Sequence, residues 1–381
     1  MVGLRERRIA VTAGFFTYAV LPGVWAARIP AVQDARRLSV GVLGLCLLVP
    51  AFGAVAALPV AGTLVSRWGR RRVFEWAAVV MAVALPLLSA APGIAGFVVA
   101  LGAFGAAGAT LDVALNVEAV AVEQSYQRSL LSGMHASWSI GAFTGTGIGV
   151  ASAAAGVSVT TACVVVAIVA GTALLACGRG LSTDRAAQSG PVFARPSART
   201  MRIGLFVFCS LFVESAAADW SAVYLHRSTG VPLSSAGVGF AAFAAAMVAG
   251  RLVGDRVVDR VGPVQAVRWP AAAGAVTLLL GVATRSAVPS VIGFLVAGAG
   301  TAVLFPMAMV AAGRDTVDSA RAIASAATVG YLGWLLAPPI IGGIASVTSL
   351  PMGIGTAAVF LAVAAASAGS LRPDRVTAYA G

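Results

Sequence analysis

Three pairs of polar side chains lie inside long apolar runs at spacings that could do chemistry. Asp112 and Asn116 are four residues apart, His135 and Trp138 three apart, and Glu214 and Asp219 five apart. On an α-helix the first two pairs each share a face. A carboxyl group such as Asp112, held in a low-dielectric setting, can load and release a proton near neutral pH. The Trp138 indole can stack on a sugar or aromatic ring, and the His135 imidazole beside it can gate protons. Glu214 and Asp219 are turned about 140° from one another, so they cannot both address one point of a cavity. Glu214 is the deeper of the two and the better placed for coupling. Asp219, with Tyr224, belongs nearer an outer vestibule. Arg28, just before Pro30, is a cation that could pair with Asp112, Asp219 or an anionic substrate. Tyr331 and Trp334 form an aromatic pair ahead of Pro338-Pro339, and Phe305-Pro306 marks a helix break; kinks of this kind permit rocking.

Each of these residues also has a plainer reading. Asp112 could pair structurally with Arg128 or with the cluster Arg70 to Arg72. Arg28 could snorkel at an interface, and His135 could be a satisfied helix-end residue. Glu214 could bond Arg251 or a backbone carbonyl. The aromatic residues could simply pack, and His226 reads as an ordinary surface residue.

The elements that must position these groups follow from composition. The 381 residues are 59% hydrophobic and 10% charged, whereas an ordinary soluble protein is about a quarter charged. All 26 basic residues are Arg. Cys46, Cys163, Cys177 and Cys209 are scattered through apolar runs with no metal spacing, so they read as packing residues and no metal site is expected. No signal-peptide cleavage pattern stands out. No phosphate-binding loop is present, so no nucleotide cofactor is expected. The positive charge sits between apolar runs, which argues for membrane topology over nucleic acid.

A membrane-spanning helix needs about 20 mostly apolar residues. The stretches free of Asp, Glu, Lys and Arg are 9–27, 38–66, 76–111, 129–178, 228–250, 269–284, 286–313 and 322–371. Three are long enough for two spans each, breaking near Ala91-Pro92-Gly93, Gly156 and Leu350-Pro351. Span 269–284 begins near Val264. With 203–225, which carries Glu214 and Asp219, the count is twelve spans, with no room for a soluble domain. Placing the N-terminus in the cytoplasm puts 21 Arg in inside segments and 5 in outside ones, the bias that the positive-inside rule demands. Both termini are therefore expected inside, in a multi-pass plasma (inner) membrane protein.

The chain also reads as doubled. The polar stretch 179–202 falls at its midpoint and separates six spans in 1–178 from six in 203–381. Ser66-Arg67-Trp68-Gly69 after the second span is echoed by Asp259-Arg260-Val261-Gly262 after the eighth, 193 positions later. Two matching six-helix halves suggest alternating access. The surrounding corners are Gly62 through Arg72, with Arg67, Gly69 and Arg70, and Gly250 through Gly262, with Asp255, Arg256, Asp259 and Arg260. They could gate the inside face by pairing with helix ends and acids.

These corners resemble the Gly-x-Leu-x-Asp-Arg-x-Gly-Arg loop of the major facilitator superfamily and its second-half counterpart. Ser66 stands where that pattern has Asp, so the second copy, with Asp259, is the better match. Trp25 to Pro30, Leu111 to Glu123, Ser132 to Gly141 and Ala218 to Leu225 resemble a poorly characterised bacterial branch, the YbjJ-like proteins, which is similar to the fucose permeases. The resemblance implies an all-α membrane protein of 12 transmembrane helices in two pseudo-symmetric six-helix bundles around a central cavity. It also implies that Asp112, with Asn116, serves sugar and proton. The acid that the fucose permeases carry on their first helix is absent, and Arg28 occupies that neighbourhood. Gly141, Gly145, Gly147 and Gly149 read as close-packing residues. The Gly-Pro signature of many drug exporters is missing.

The expectation is a secondary transporter, not an enzyme, acting as a monomer on a small polar solute with a proton as partner and lipid as its surroundings. Proton-driven efflux of amphipathic drugs and a non-transporting membrane sensor are the alternatives.

Overall fold

The computed structural model describes residues 3–126, 130–183, 198–313 and 319–371. Most of the expected linker, 184–197, and the basic residue Arg128 lie outside them, as does the side chain of Asp255. The described chain is helical throughout: α1 Leu4–Ala35, α2 Val40–Trp68, α3 Arg70–Ala90, α4 Gly93–Tyr126, α5 Leu131–Ala154, α6 Val159–Arg179, α7 Ala198–Thr229, α8 Val238–Thr284, α9 Ala287–Thr301, α10 Leu304–Gly313, α11 Ser319–Val347 and α12 Leu350–Ser367. A short 3₁₀ turn, Ala368–Leu371, follows.

Twelve crossings emerge from these elements. The long α8 is two limbs meeting at Gly262, whose φ of 77° and ψ of 159° are not helical. The second limb starts at Pro263, a residue suited to the first turn of a helix. Conversely, α9 and α10 make one crossing, broken at Ala302-Val303. The break expected at Phe305-Pro306 is therefore three residues too late. Pro306 sits in the first turn of α10, where its missing N–H costs nothing. The other turns fall where charge or Gly and Pro interrupt the apolar pattern: Ala91-Pro92, Gly156, and Ser349 before Pro351. Ser39 and Ser158 cap α2 and α6 by accepting the backbone N–H of Val42 and Thr161, which satisfies donors that a helix start leaves open.

Six helices, α1–α6, form one bundle and α7–α12 the other. Close backbone packing repeats between them. A Cβ on Gly105 would lie 1.9 Å from the Pro50 carbonyl oxygen, and one on Gly298 would lie 2.2 Å from that of Phe243. Both members of the second pair stand 193 positions after those of the first. In lipid, helix association depends on such close packing. Gly69 (φ 84°, ψ 156°) and Gly262 turn the chain with nearly the same backbone geometry. Trp76 and Trp269 follow them at equal spacing, each 67% exposed, as interfacial Trp residues are.

The two bundles meet on one face of the molecule, opposite the N-terminus. There Gly44 and Gly342 approach until a Cβ on either would lie 2.9 Å from the other's Cα, with the Trp220 ring against both. Gly237 sits against Ala27 and Val150, and Asp34 meets His226 and Arg227. On the N-terminal face, α4 and α10 pack chiefly within their own bundles. His135 near the start of α5 and Tyr331 and Trp334 midway along α11 are exposed. The molecule is thus closed on the opposite face and cleft toward the N-terminal one.

Candidate functional site

Walls of the cleft come from α1, α4 and α5 on one side and α7, α8 and α11 on the other. Asp112 and Asn116 project from the middle of α4, and the Asn116 Nδ2 donates to the backbone carbonyl of Asp112 at 2.8 Å. Tyr18 of α1 packs against Gly108, one helical turn before Asp112 on α4. Tyr331 of α11 is exposed. Of the expected residues, Trp138 of the first bundle and Glu214 of the second line one space.

Glu214 is 8% exposed. It lines a narrow recess with Trp138, Ser139, Ala142, Phe240, Phe243, Ala244 and Met247. Arg251 enters this neighbourhood from α8. Its Nη1 donates to Ser139 Oγ on α5, bridging the bundles, and it acts electrostatically on Glu214 and His135. The sequence expectation puts Arg251 within the corner Gly250 to Gly262 at the inside face. The helix in fact runs on to Gly262, so Arg251 lies on α8 about three turns before the corner. Its signal was available, since a lone Arg eleven residues before the Gly262 turn is too far back to be a loop residue. His135 packs its ring on Phe15, centroids 4.9 Å apart.

Other expected site residues are placed elsewhere. Arg28 does not meet Asp112 or Asp219. It is 5% exposed and its Nη2 donates to the Val157 carbonyl at 2.7 Å, pinning the α5–α6 turn, so it neither snorkels nor faces the cleft as a free cation. Asp219 accepts from Ser215 Oγ at 3.0 Å, and the same hydroxyl is 3.4 Å from the carbonyl of Trp334. This ties α7 to α11 inside the second bundle. Tyr224 is fully buried against Ser290 and separate from Asp219.

At the N-terminal face the first bundle holds a buried ion cluster that the sequence reading did not assign. Glu118 of α4, fully buried, receives Arg7 Nε at 2.7 Å and Arg70 Nη1 at 2.8 Å. It also accepts the Ser182 backbone N–H at 3.3 Å. Charge-assisted bonds of this kind are the strong ones. Gly62 lies within α2, and Arg67 is exposed. Arg256, Asp259 and Arg260 of the second corner are exposed and make no ion pair among the described residues.

The family model described as Major Facilitator Superfamily matches residues 10–283. The chain belongs to this superfamily. An uncharacterized MFS-type transporter of Yersinia pestis is 35% identical over 365 residues, covering 95% of each chain. Among solved structures, a bacterial homolog of the human lysosomal transporter Spinster, in an inward-facing and unoccupied conformation, is similar with TM-score 0.75 at 14% identity, covering 96% of each chain. The Escherichia coli fucose:proton symporter is similar with TM-score 0.61 at 14% identity, over 96% of this chain and 98% of that one. This superfamily member is therefore a multi-pass membrane transporter with the 12-helix fold, and not an enzyme.

Proposed function

We propose that this chain carries a small polar solute, a sugar or related metabolite, by proton-coupled alternating access. Asp112 and Glu214 are the proton carriers, and Asn116, Trp138, Tyr331 and Trp334 face the solute. The observation that supports this most directly is the recess lined by Trp138 of the first bundle and Glu214 of the second, with Asp112 on α4 of the first bundle. A carboxylate deep in a membrane protein is costly unless it has a task. Here a protonation change on either wall alters the charge across the seam along which the bundles must rock. The fucose:proton symporter named above is a neighbour by fold, and its printed name fits the same chemistry.

His135 lies at the cleft mouth and serves proton entry. The corners at Gly62 to Arg72 and Gly250 to Gly262 gate the N-terminal face, with Asp219 and Arg28 holding the walls behind them. Counting Arg251 with α8 leaves 20 Arg in segments of the N-terminal face and 5 in those of the other. That bias assigns the N-terminal face and both termini to the cytoplasm of an inner membrane. The bundles divide at the linker 179–202, and one chain contains a complete cleft, so a monomer suffices.

Reconstitution tests this reading. Liposomes with an acidic outside are screened with labelled sugars, polyols and nucleosides for uptake, and hits are followed by counterflow. Asp112→Asn and Glu214→Gln should each abolish uptake driven by the pH gradient while the protein still folds. Normal gradient-driven uptake by both variants would remove coupling from these acids. Binding without any counterflow would identify a sensor instead.

A further inference from the structure

On the closed face, one acid of the first bundle meets two bases of the second. Asp34, at the end of α1, receives Arg227 on Oδ1. Its Oδ2 lies 3.2 Å from His226 Nε2. The other ring nitrogen of His226, Nδ1, lies 2.9 Å from the carbonyl oxygen of Val231, in the turn after α7. A neutral imidazole offers one N–H and one lone pair. Whichever tautomer forms, one nitrogen then presents its lone pair to an oxygen, either the Val231 carbonyl or the Asp34 carboxylate. The arrangement is satisfied only with one more proton. Either both ring nitrogens carry hydrogen and donate, or a protonated Asp34 donates to Nε2 while Nδ1–H serves Val231.

We propose that Asp34, His226 and the Val231 carbonyl form a proton-binding site in the closure of the opposite face, distinct from the cleft acids, and that its occupancy holds the two bundles together there. The site is half-exposed, with His226 at 25% and Asp34 at 31%, so a proton reaches it from the solution on that face. The other charges around it are accounted for. Arg36, beyond α1, is spent on the carbonyls of Leu88, Ser89, Ala91 and Gly93. Arg37 follows it in the turn, and Arg285 lies just beyond α8. Losing the proton leaves Asp34 with Arg227, so the closure weakens without dissolving. The expected change in the closed-to-open ratio is about two- to fivefold, the worth of one partly exposed ion pair. If that face is the outside, as proposed above, external acid favours closing behind a loaded solute. The proton site itself rests on geometry alone.

The test uses the full chain in lipid nanodiscs. It has only two His residues, His135 and His226, so ¹⁵N-histidine labelling yields two ring spectra, and the one lost in His226→Gln belongs to His226. In parallel, with the native Cys replaced, spin labels at Ile94 of α4 and Val347 of α11 report separation of the bundles on that face. Both positions are exposed. Between pH 9 and pH 5, the doubly protonated His226 signal and the short-distance population should rise together, and His226→Gln should flatten that step. The same titration in an Asp112→Asn, Glu214→Gln background keeps the step if the site is separate. Failure of the cleft acids to couple transport leaves this result untouched. A closed face with His226 in a single neutral tautomer overturns the proposal, as does a pH step that survives His226→Gln or vanishes in the cleft-acid background.

Discussion

The two corners of the N-terminal face, one per bundle, share a backbone and differ in everything that holds them. Both turn at a Gly with φ near 80° and ψ near 160°, and both lead into a helix with an exposed Trp seven residues on. The first corner is bound into its bundle through Arg70 to the buried Glu118, which Arg7 shares. The second has the better match to the superfamily pattern, with Asp259 where the first has Ser66, and yet Arg256, Asp259 and Arg260 are exposed and make no ion pair among the described residues. The repeat register explains the contrast. At 193 positions after Arg70 stands Pro263, and at the same offset from Glu118 stands Ala311, 4% exposed. The second bundle has lost both partners of the ion cluster and kept only the turn. A loop motif therefore specifies a bend; what the bend is tied to depends on a helix some fifty residues away.

The sharpest way to break this comparison is at Glu118. Replacing it with Gln leaves Arg7 and Arg70 facing an uncharged amide. Removing one partner from a buried ion pair costs about 3–5 kcal/mol, so thermal unfolding in detergent should fall by many degrees. Arg256→Gln in the second corner should stay within about 0.5 kcal/mol of the parent, as exposed substitutions do. Equal losses from the two changes would mean that the second corner has a partner equivalent to Glu118.

Next in size is an attempt to install the missing acid. Ala311→Glu alone should destabilise by about 3 kcal/mol, because it buries a carboxylate with no cation beside it. Adding Pro263→Arg restores the other half of the cluster at a first-turn position, where Pro is favoured but not required. The double variant should recover at least about 1 kcal/mol relative to the sum of the single changes, read as a double-mutant cycle of unfolding midpoints. Strict additivity would mean that the two sites are not in reach of one another and that the shared register fails at side-chain level.

Much of this was legible from the residues. Apolar runs bounded by Arg gave the crossings, and Gly69 and Gly262 marked matching turns, because the solvent of the helices and the steric needs of a sharp corner act locally. What escaped depends on tertiary partners. Arg251 could be offered as a partner for Glu214, but its acceptor, Ser139 on a helix of the other bundle, could not be read from spacing. Arg28 looked like a cleft cation until the Val157 carbonyl claimed it. His226 looked like surface until Asp34, from the other bundle, came to meet it. Asp112 and Glu214 could be picked out as costly residues in an apolar run, but nothing in the spacing of Glu214 placed it on one recess with Trp138 of the other bundle.

The turn itself is the symmetric part of the comparison, and the prediction for it is equality. A backbone with φ near 80° and ψ near 160° lies in a region that is essentially open to Gly alone, and a side chain there costs of order 1–3 kcal/mol. Gly69→Ala and Gly262→Ala should therefore lower unfolding midpoints by similar amounts. At Gly262 no contact adds to this cost, because a Cβ there would meet nothing within 4 Å. A much larger effect at Gly69 would show that strain there is passed to the Arg70–Glu118 pair, so that the ion cluster depends on the bend as well as the bend on the cluster.

The smallest expected effect tests whether the repeat extends to the lipid. Trp76 and Trp269 are exposed alike and stand at the same offset from their turns, so both should lie at the headgroup level on the same face. Trp76→Leu and Trp269→Leu should each change stability by no more than about 0.5 kcal/mol. The informative measurement is depth. With the other Trp residues replaced, lipids brominated at successive acyl positions should quench the two indoles with the same profile, strongest near the headgroups. If Trp269 is quenched deeper than Trp76, the second bundle sits lower in the bilayer. Its exposed corner would then be shielded by headgroups, which would account for charges that need no protein partner there.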